Sequence, residues 1–136
     1  MINKPPPLNS LIPSTQLLEG KGIIAVIGAG TMGNGIAHLF AQAGYSVHLV
    51  DISENQLQKA LSTIEKNLDR QIAKSIISAE QKKSTLQCIA TFTTIEQGVQ
   101  HAQLIIEAAA ENEMLKLELF KQIDQAAPVD CILATN

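Results

Sequence analysis

With 136 residues and 46% apolar side chains, the chain has the size and core-forming content of one globular domain. A net charge of -3, 17% charged residues and scattered lysines and arginines supply no basic surface for nucleic acid. No apolar segment approaches the roughly 20 residues of a membrane span, and the N-terminus lacks a signal-peptide pattern, so a soluble, cytoplasmic protein without a membrane partner is expected.

Residues 1–20 place Pro5, Pro6, Pro7 and Pro13 among Asn, Ser and Thr, a composition expected of a flexible, extended tail. From Lys21 onward, short apolar runs alternate with helix-period segments. Ile23 to Ile27 is a continuous branched run, as in a strand covered on both faces, and Met32 to Ala43 carries apolar residues at helical spacing until Gly44 stops it. Val47 to Val50 predicts the second strand. Ser53 with Gln56 predicts a capping box opening a long helix through about Lys74, and Ser78 with Gln81 opens a second helix to about Gln87, so the two form a helical hairpin between strands two and three.

Ile89 to Phe92 predicts strand three, Thr94 with Gln97 caps a short helical turn, and Leu104 to Ile106 predicts strand four. Asn112 to Ala127 carries Leu115, Leu119 and Ile123 four apart before Pro128 ends the helix, and Cys131 to Ala134 predicts strand five. This alternation implies an α/β fold, a Rossmann-type doubly wound parallel sheet of order 3-2-1-4-5, with ligands bound beyond the carboxyl ends of the strands. Cys88 and Cys131 share no CxxC or Cys/His spacing and read as reduced structural thiols without a metal site.

Gly28, Gly30 and Gly33 form GxGxxG directly between the first strand and first helix, the context in which that motif holds a dinucleotide. Gly28 permits the tight turn, Gly30 lets backbone approach a pyrophosphate, and Gly33 lets the helix pack closely on the strand. Ala29, Thr31 and Met32 complete the phosphate-facing turn, whose helix N-terminus offers N–H donors and partial positive charge. Gly35 lies one step beyond the motif and predicts a close approach of the helix to a neighbouring backbone or to the cofactor. Asp51 ends strand two, 23 positions after Gly28, where its carboxylate accepts from the adenosine ribose hydroxyls and repels a 2'-phosphate; NAD is therefore expected over NADP.

The stretches VIGAGTMGNGIAHLFAQAGYSVHLVDIS, LIIEAAAENEMLKLELF and ILATN resemble the N-terminal, NAD-binding domain of the 3-hydroxyacyl-CoA dehydrogenase family, including bacterial 3-hydroxybutyryl-CoA dehydrogenases, over Gly22 to Asn136. The resemblance assigns residues 21–136 to that domain and implies that the catalytic and dimerisation domain is absent. It also implies that Glu111 and Lys116 lie at the nicotinamide-ribose side, that Asn136 borders the cofactor, and that Lys74 on the hairpin meets the charged end of coenzyme A. For Lys74 and Lys116 the alternative is a solvated surface lysine. Glu107, at the end of strand four, reads as a hydrogen-bonded structural acid.

Alcohol dehydrogenation needs a general base, but His38, His48 and His101 all miss the carboxyl ends of strands, so no catalytic residue is expected within the chain. In the family, a histidine and its glutamate partner follow the ILATN segment. The resemblance thus implies the NAD-binding part of an enzyme oxidising L-3-hydroxyacyl-CoA to 3-ketoacyl-CoA in fatty-acid β-oxidation, homodimeric when complete. Two alternatives stand beside it: a non-catalytic NAD-binding module, and a sugar-acid 3-dehydrogenase of the same superfamily.

Overall fold

The computed structural model describes residues 22–109 and 113–135; the proline-rich tail, Glu111 and Asn136 lie outside the described residues. Five parallel strands, β1 (Ile23–Ile27), β2 (Ser46–Val50), β3 (Ile89–Phe92), β4 (Leu104–Glu107) and β5 (Ile132–Thr135), pair in the expected order β3-β2-β1-β4-β5. Five helices connect them: α1 (Thr31–Gln42), α2 (Glu54–Ala73), α3 (Ala79–Gln87), α4 (Ile95–Val99) and α5 (Glu113–Ala126).

Period-two alternation divides the core between the faces of the sheet. Ile24 and Val26 of β1, with Val47 and Leu49 of β2, join Ala37 and Phe40 of α1 and Leu57, Ala60, Ile64 and Leu68 of α2. On the other face Ala25, Ile27 and Val50 join Val99, Ile105 and Ile123, with Ile95, Leu119 and Phe120 packed alongside. Each such buried aliphatic side chain contributes about 1.5–3 kcal/mol, and burial on both faces is why β1 reads as an unbroken apolar run.

Local chemistry fixes the helix ends. Gly44 (φ 98°) closes α1 in a Schellman motif: Gly44 N–H donates to Ala41 O, Tyr45 N–H donates to Phe40 O, and the Phe40 and Tyr45 rings meet edge-on at 5.7 Å. The same bond pattern closes α2 around Ser75, with Ser75 N–H donating to Ile72 O and Ile76 N–H to Gln71 O, although Ser75 (φ 59°) carries a side chain in a left-handed conformation. The hairpin is present: Lys82 of α3 reaches Asp69 (2.7 Å) and Glu65 (3.5 Å) of α2.

The reciprocal capping box forms at Ser78, where Ser78 N–H donates to Gln81 Oε1 and Gln81 N–H to Ser78 Oγ. At Ser53 the expectation is corrected: its hydroxyl accepts the Gln56 N–H at 3.2 Å, but its own N–H donates to Asp51 Oδ1 at 2.9 Å. The carboxylate at the strand end has taken the donor that Gln56 would have capped. Among the described residues no helix is long and apolar enough to cross a membrane.

Candidate functional site

The carboxyl ends of β1, β2 and β4 converge on the glycine turn. Gly28 donates its N–H to Val50 O at 2.7 Å and holds φ at 105°, and a Cβ there would sit 2.7 Å from Ala109 Cα. A Cβ on Gly33 would collide with the Gly28 carbonyl oxygen and lie 3.6 Å from Val26 Cγ1, so this glycine lets α1 close on both the turn and the strand. Gly30 faces open space, with no described protein atom within 4 Å of a Cβ, as a surface reserved for close backbone approach requires.

Gly35 does not make the first of the two approaches its sequence position suggested, the one to a neighbouring backbone. A Cβ there would meet nothing within 4 Å among the described residues, so no neighbouring backbone presses on it. It occupies an exposed turn of α1, where only glycine's missing side chain distinguishes it.

Helices α2, α3 and α4 each begin with a hydroxyl cap, from Ser53, Ser78 and Thr94. Helix α1 begins at Gly30 with no side-chain cap and no acidic residue in its first turn, and Thr31 and Met32 there are exposed. Leading N–H groups without a side-chain acceptor, beside a glycine that leaves room, fit a pyrophosphate.

Asp51 is positioned twice over. Its Oδ2 accepts the Ala29 N–H at 2.9 Å and its Oδ1 accepts the Ser53 N–H at 2.9 Å, so the carboxylate joins the glycine turn to the start of α2. Beside it opens a cleft of about 280 Å³ lined by Ile27, Gly28, Asp51, Ile52, Ile95 and Leu119, among others. A hollow of about 630 Å³ adjoins it through Ile52, Ile95 and Gln122. Ile52 is 90% exposed, an apolar shelf next to a carboxylate at the mouth of the cleft.

Glu107 ends β4 in register with Ile27 and is 1% exposed. Its Oε2 accepts the Ala109 N–H at 2.9 Å, which agrees with the structural acid expected from the sequence, and its Oε1 lies 3.5 Å from Lys116 Nζ. Lys116, in the first turns of α5, is therefore a half-buried, ion-paired side chain rather than a solvated one. Lys74 is exposed at the C-cap of α2, a 20-residue helix that spans about 30 Å, so it stands a helix length from Asp51.

The histidines stay clear of the crevice. His38 Nε2 pairs with Gln42 Oε1 on α1, His48 Nδ1 lies 2.9 Å from Gly98 O with its ring against Phe92, and His101 is exposed ahead of β4. Sequence reasoning missed Ala109 as the wall against Gly28; the run of alanines after Glu107 was the available signal. It also missed Gln103, whose side-chain Oε1 accepts the Ile23 N–H at the base of β1, and nothing local marks that long-range bond.

A parallel sheet with its glycine turn, free helix start and strand-end aspartate at one crevice defines a dinucleotide-binding Rossmann domain. The family model for the 3-hydroxyacyl-CoA dehydrogenase NAD-binding domain matches residues 23–136, and the chain belongs to that family. It is 36% identical over 113 residues to 3-hydroxybutyryl-CoA dehydrogenase of Bradyrhizobium diazoefficiens, covering 83% of this chain and 38% of the relative. It is 40% identical over 133 residues to the mitochondrial hydroxyacyl-coenzyme A dehydrogenase of Homo sapiens, covering 90% of this chain and 42% of the relative. The solved (S)-3-hydroxybutyryl-CoA dehydrogenase from Ralstonia eutropha superposes with a TM-score of 0.80 at 39% identity, covering 84% of this chain and 40% of that one. The chain thus spans about two fifths of the length of these relatives. NAD is the cofactor of this family's domain.

Proposed function

We propose that this chain is the NAD-binding part of a cytoplasmic oxidoreductase that oxidises an L-3-hydroxyacyl-CoA, 3-hydroxybutyryl-CoA in particular, to the 3-ketoacyl-CoA in fatty-acid β-oxidation. The observation that carries the reading is the Asp51 carboxylate fastened to the glycine turn, which sets a ribose acceptor and a pyrophosphate cradle in one rigid unit. NAD, once bound, supplies the hydride acceptor for C3 of the substrate. The chain's own contribution is placement.

In this reading the turn residues Gly28, Ala29, Gly30, Thr31, Met32 and Gly33 hold the pyrophosphate, and Asp51 takes the adenosine ribose. Glu111, Lys116 and Asn136 border the nicotinamide half, and Lys74 meets the charged end of coenzyme A. In the same reading the chain by itself binds NAD and is catalytically incomplete, and the complete enzyme is a homodimer.

Calorimetry with NAD and NADP, paired with an assay of acetoacetyl-CoA reduction by NADH, tests this. Sub-millimolar NAD affinity, much weaker NADP affinity and negligible turnover are expected. Equal affinity for both dinucleotides would sink the assignment of Asp51, and turnover near that of a complete dehydrogenase would sink the incompleteness.

A further inference from the structure

We propose that Glu107 is a positioning residue that acts through Lys116, holding its ammonium at the edge of the cofactor crevice; this rests on the reading of Lys116 as a nicotinamide-ribose contact. The carboxylate itself is buried and hydrogen-bonded. It sits 1% exposed at the last position of β4, paired across the sheet with Ile27 of β1 and Thr135 of β5, and the Ala109 N–H grips Oε2 at 2.9 Å. The other oxygen faces Lys116 Nζ at 3.5 Å.

As fold-stabilising glue this pair is a poor choice. A buried carboxylate pays a desolvation cost that its partner roughly offsets, and apolar residues of similar volume serve a core as well or better. What apolar residues cannot do is fix a cation in place. The Lys116 side chain is 28% exposed, and its ammonium stands 3.5 Å from the Glu107 carboxylate, which restrains it on that side. A lysine already held in one arrangement loses less freedom when a ligand hydroxyl or phosphate meets it.

Charge alone predicts the opposite outcome from placement. NAD is anionic at its pyrophosphate, so removing the negative Glu107 favours binding on electrostatic grounds. Placement predicts weaker binding, confined to the nicotinamide half of the cofactor.

The test is a double-mutant cycle on the full 136-residue chain with Glu107→Gln, Lys116→Met and both together, read by calorimetry with NAD and, separately, with ADP, which lacks the nicotinamide half. Glutamine retains an acceptor for the Ala109 N–H and loses the charge. Glu107→Gln is expected to weaken NAD binding between about twofold and tenfold, the double variant to bind NAD no worse than Lys116→Met, and ADP affinity to stay within about twofold throughout. NAD binding by Glu107→Gln that is unchanged or tighter, losses that multiply in the double variant, or ADP affinity falling with NAD would each overturn the proposal. A wild-type chain that binds neither NAD nor ADP would instead overturn the functional reading, and this inference with it. Nitrogen-15 relaxation of lysine ammonium groups in the wild type needs no variant to fold: Lys116 Nζ is expected to be more restrained than exposed Lys59, and equal mobility would refute the placement.

Discussion

The Ala29 N–H donates to Asp51 Oδ2 at 2.9 Å, a bond that crosses from the glycine turn after β1 to the end of β2. A residue identified by its chemistry toward a ligand is therefore also a structural brace for the loop that holds the same ligand. Replacing Asp51 changes both at once.

Asp51→Ser is expected to cost about 1–3 kcal/mol of stability, because the part-buried Ala29 and Ser53 N–H groups lose their acceptor. NAD binding should weaken about tenfold or more while NADP gains relative to it. Denaturant unfolding and calorimetry with both dinucleotides separate the effects; an undiminished preference for NAD refutes the ribose role while leaving the brace in place.

Gly33→Ala and Gly35→Ala should differ in sign, although both add one methyl group to α1. At position 33 the methyl meets the Gly28 carbonyl, which is backbone and cannot swing aside, so a loss of about 1–3 kcal/mol is expected. At position 35 it enters open space, and the helix should gain up to about 1 kcal/mol. Thermal unfolding of the two variants decides this; destabilisation by Gly35→Ala would refute the open space at position 35.

Ser75→Gly should stabilise the hairpin by roughly 1 kcal/mol, since the Schellman turn after α2 holds Ser75 at φ 59°. A drop in melting temperature would indicate that the serine side chain contributes something its backbone conformation does not reveal.

Lys82 has a pKa raised above its ordinary 10.5, first by its hydrogen bond to Asp69, against an opposing desolvation, with the Asp69 charge and the hydrogen bond and charge of Glu65 adding to the rise. A raised folded-state pKa gives stability that is fully present below pH 10.5 and is lost as pH rises through the folded value. The stability gap between wild type and Lys82→Met should therefore be constant from pH 7 to 9 and close above 10.5. A gap that widens at alkaline pH would contradict the pairing.

The sequence by itself determined the alternation of strands and helices, the sheet order, the helix starts at Ser78 and Thr94 and the glycine turn. The elements depend on neighbours within one or two turns of chain, on hydrophobic period or on backbone freedom, and the expected sheet order follows from their alternation. It also identified Glu107 as a hydrogen-bonded acid, but not the cation it faces. Lys116 stands nine positions further on, across a strand end and a helix start, and only the packing of α5 on the sheet brings the two within 3.5 Å.

Tertiary structure likewise decided that Ser53 gives its N–H to Asp51 rather than to Gln56, and that a side chain at Gly33 strikes the Gly28 carbonyl while one at Gly35 meets no described protein atom within 4 Å. The GxGxxG spacing singled out Gly33 and left Gly35 outside the motif, but did not show which atoms each would meet. The difference is which atoms stand within 4 Å of an added Cβ, and that is set by the turn folding back over α1.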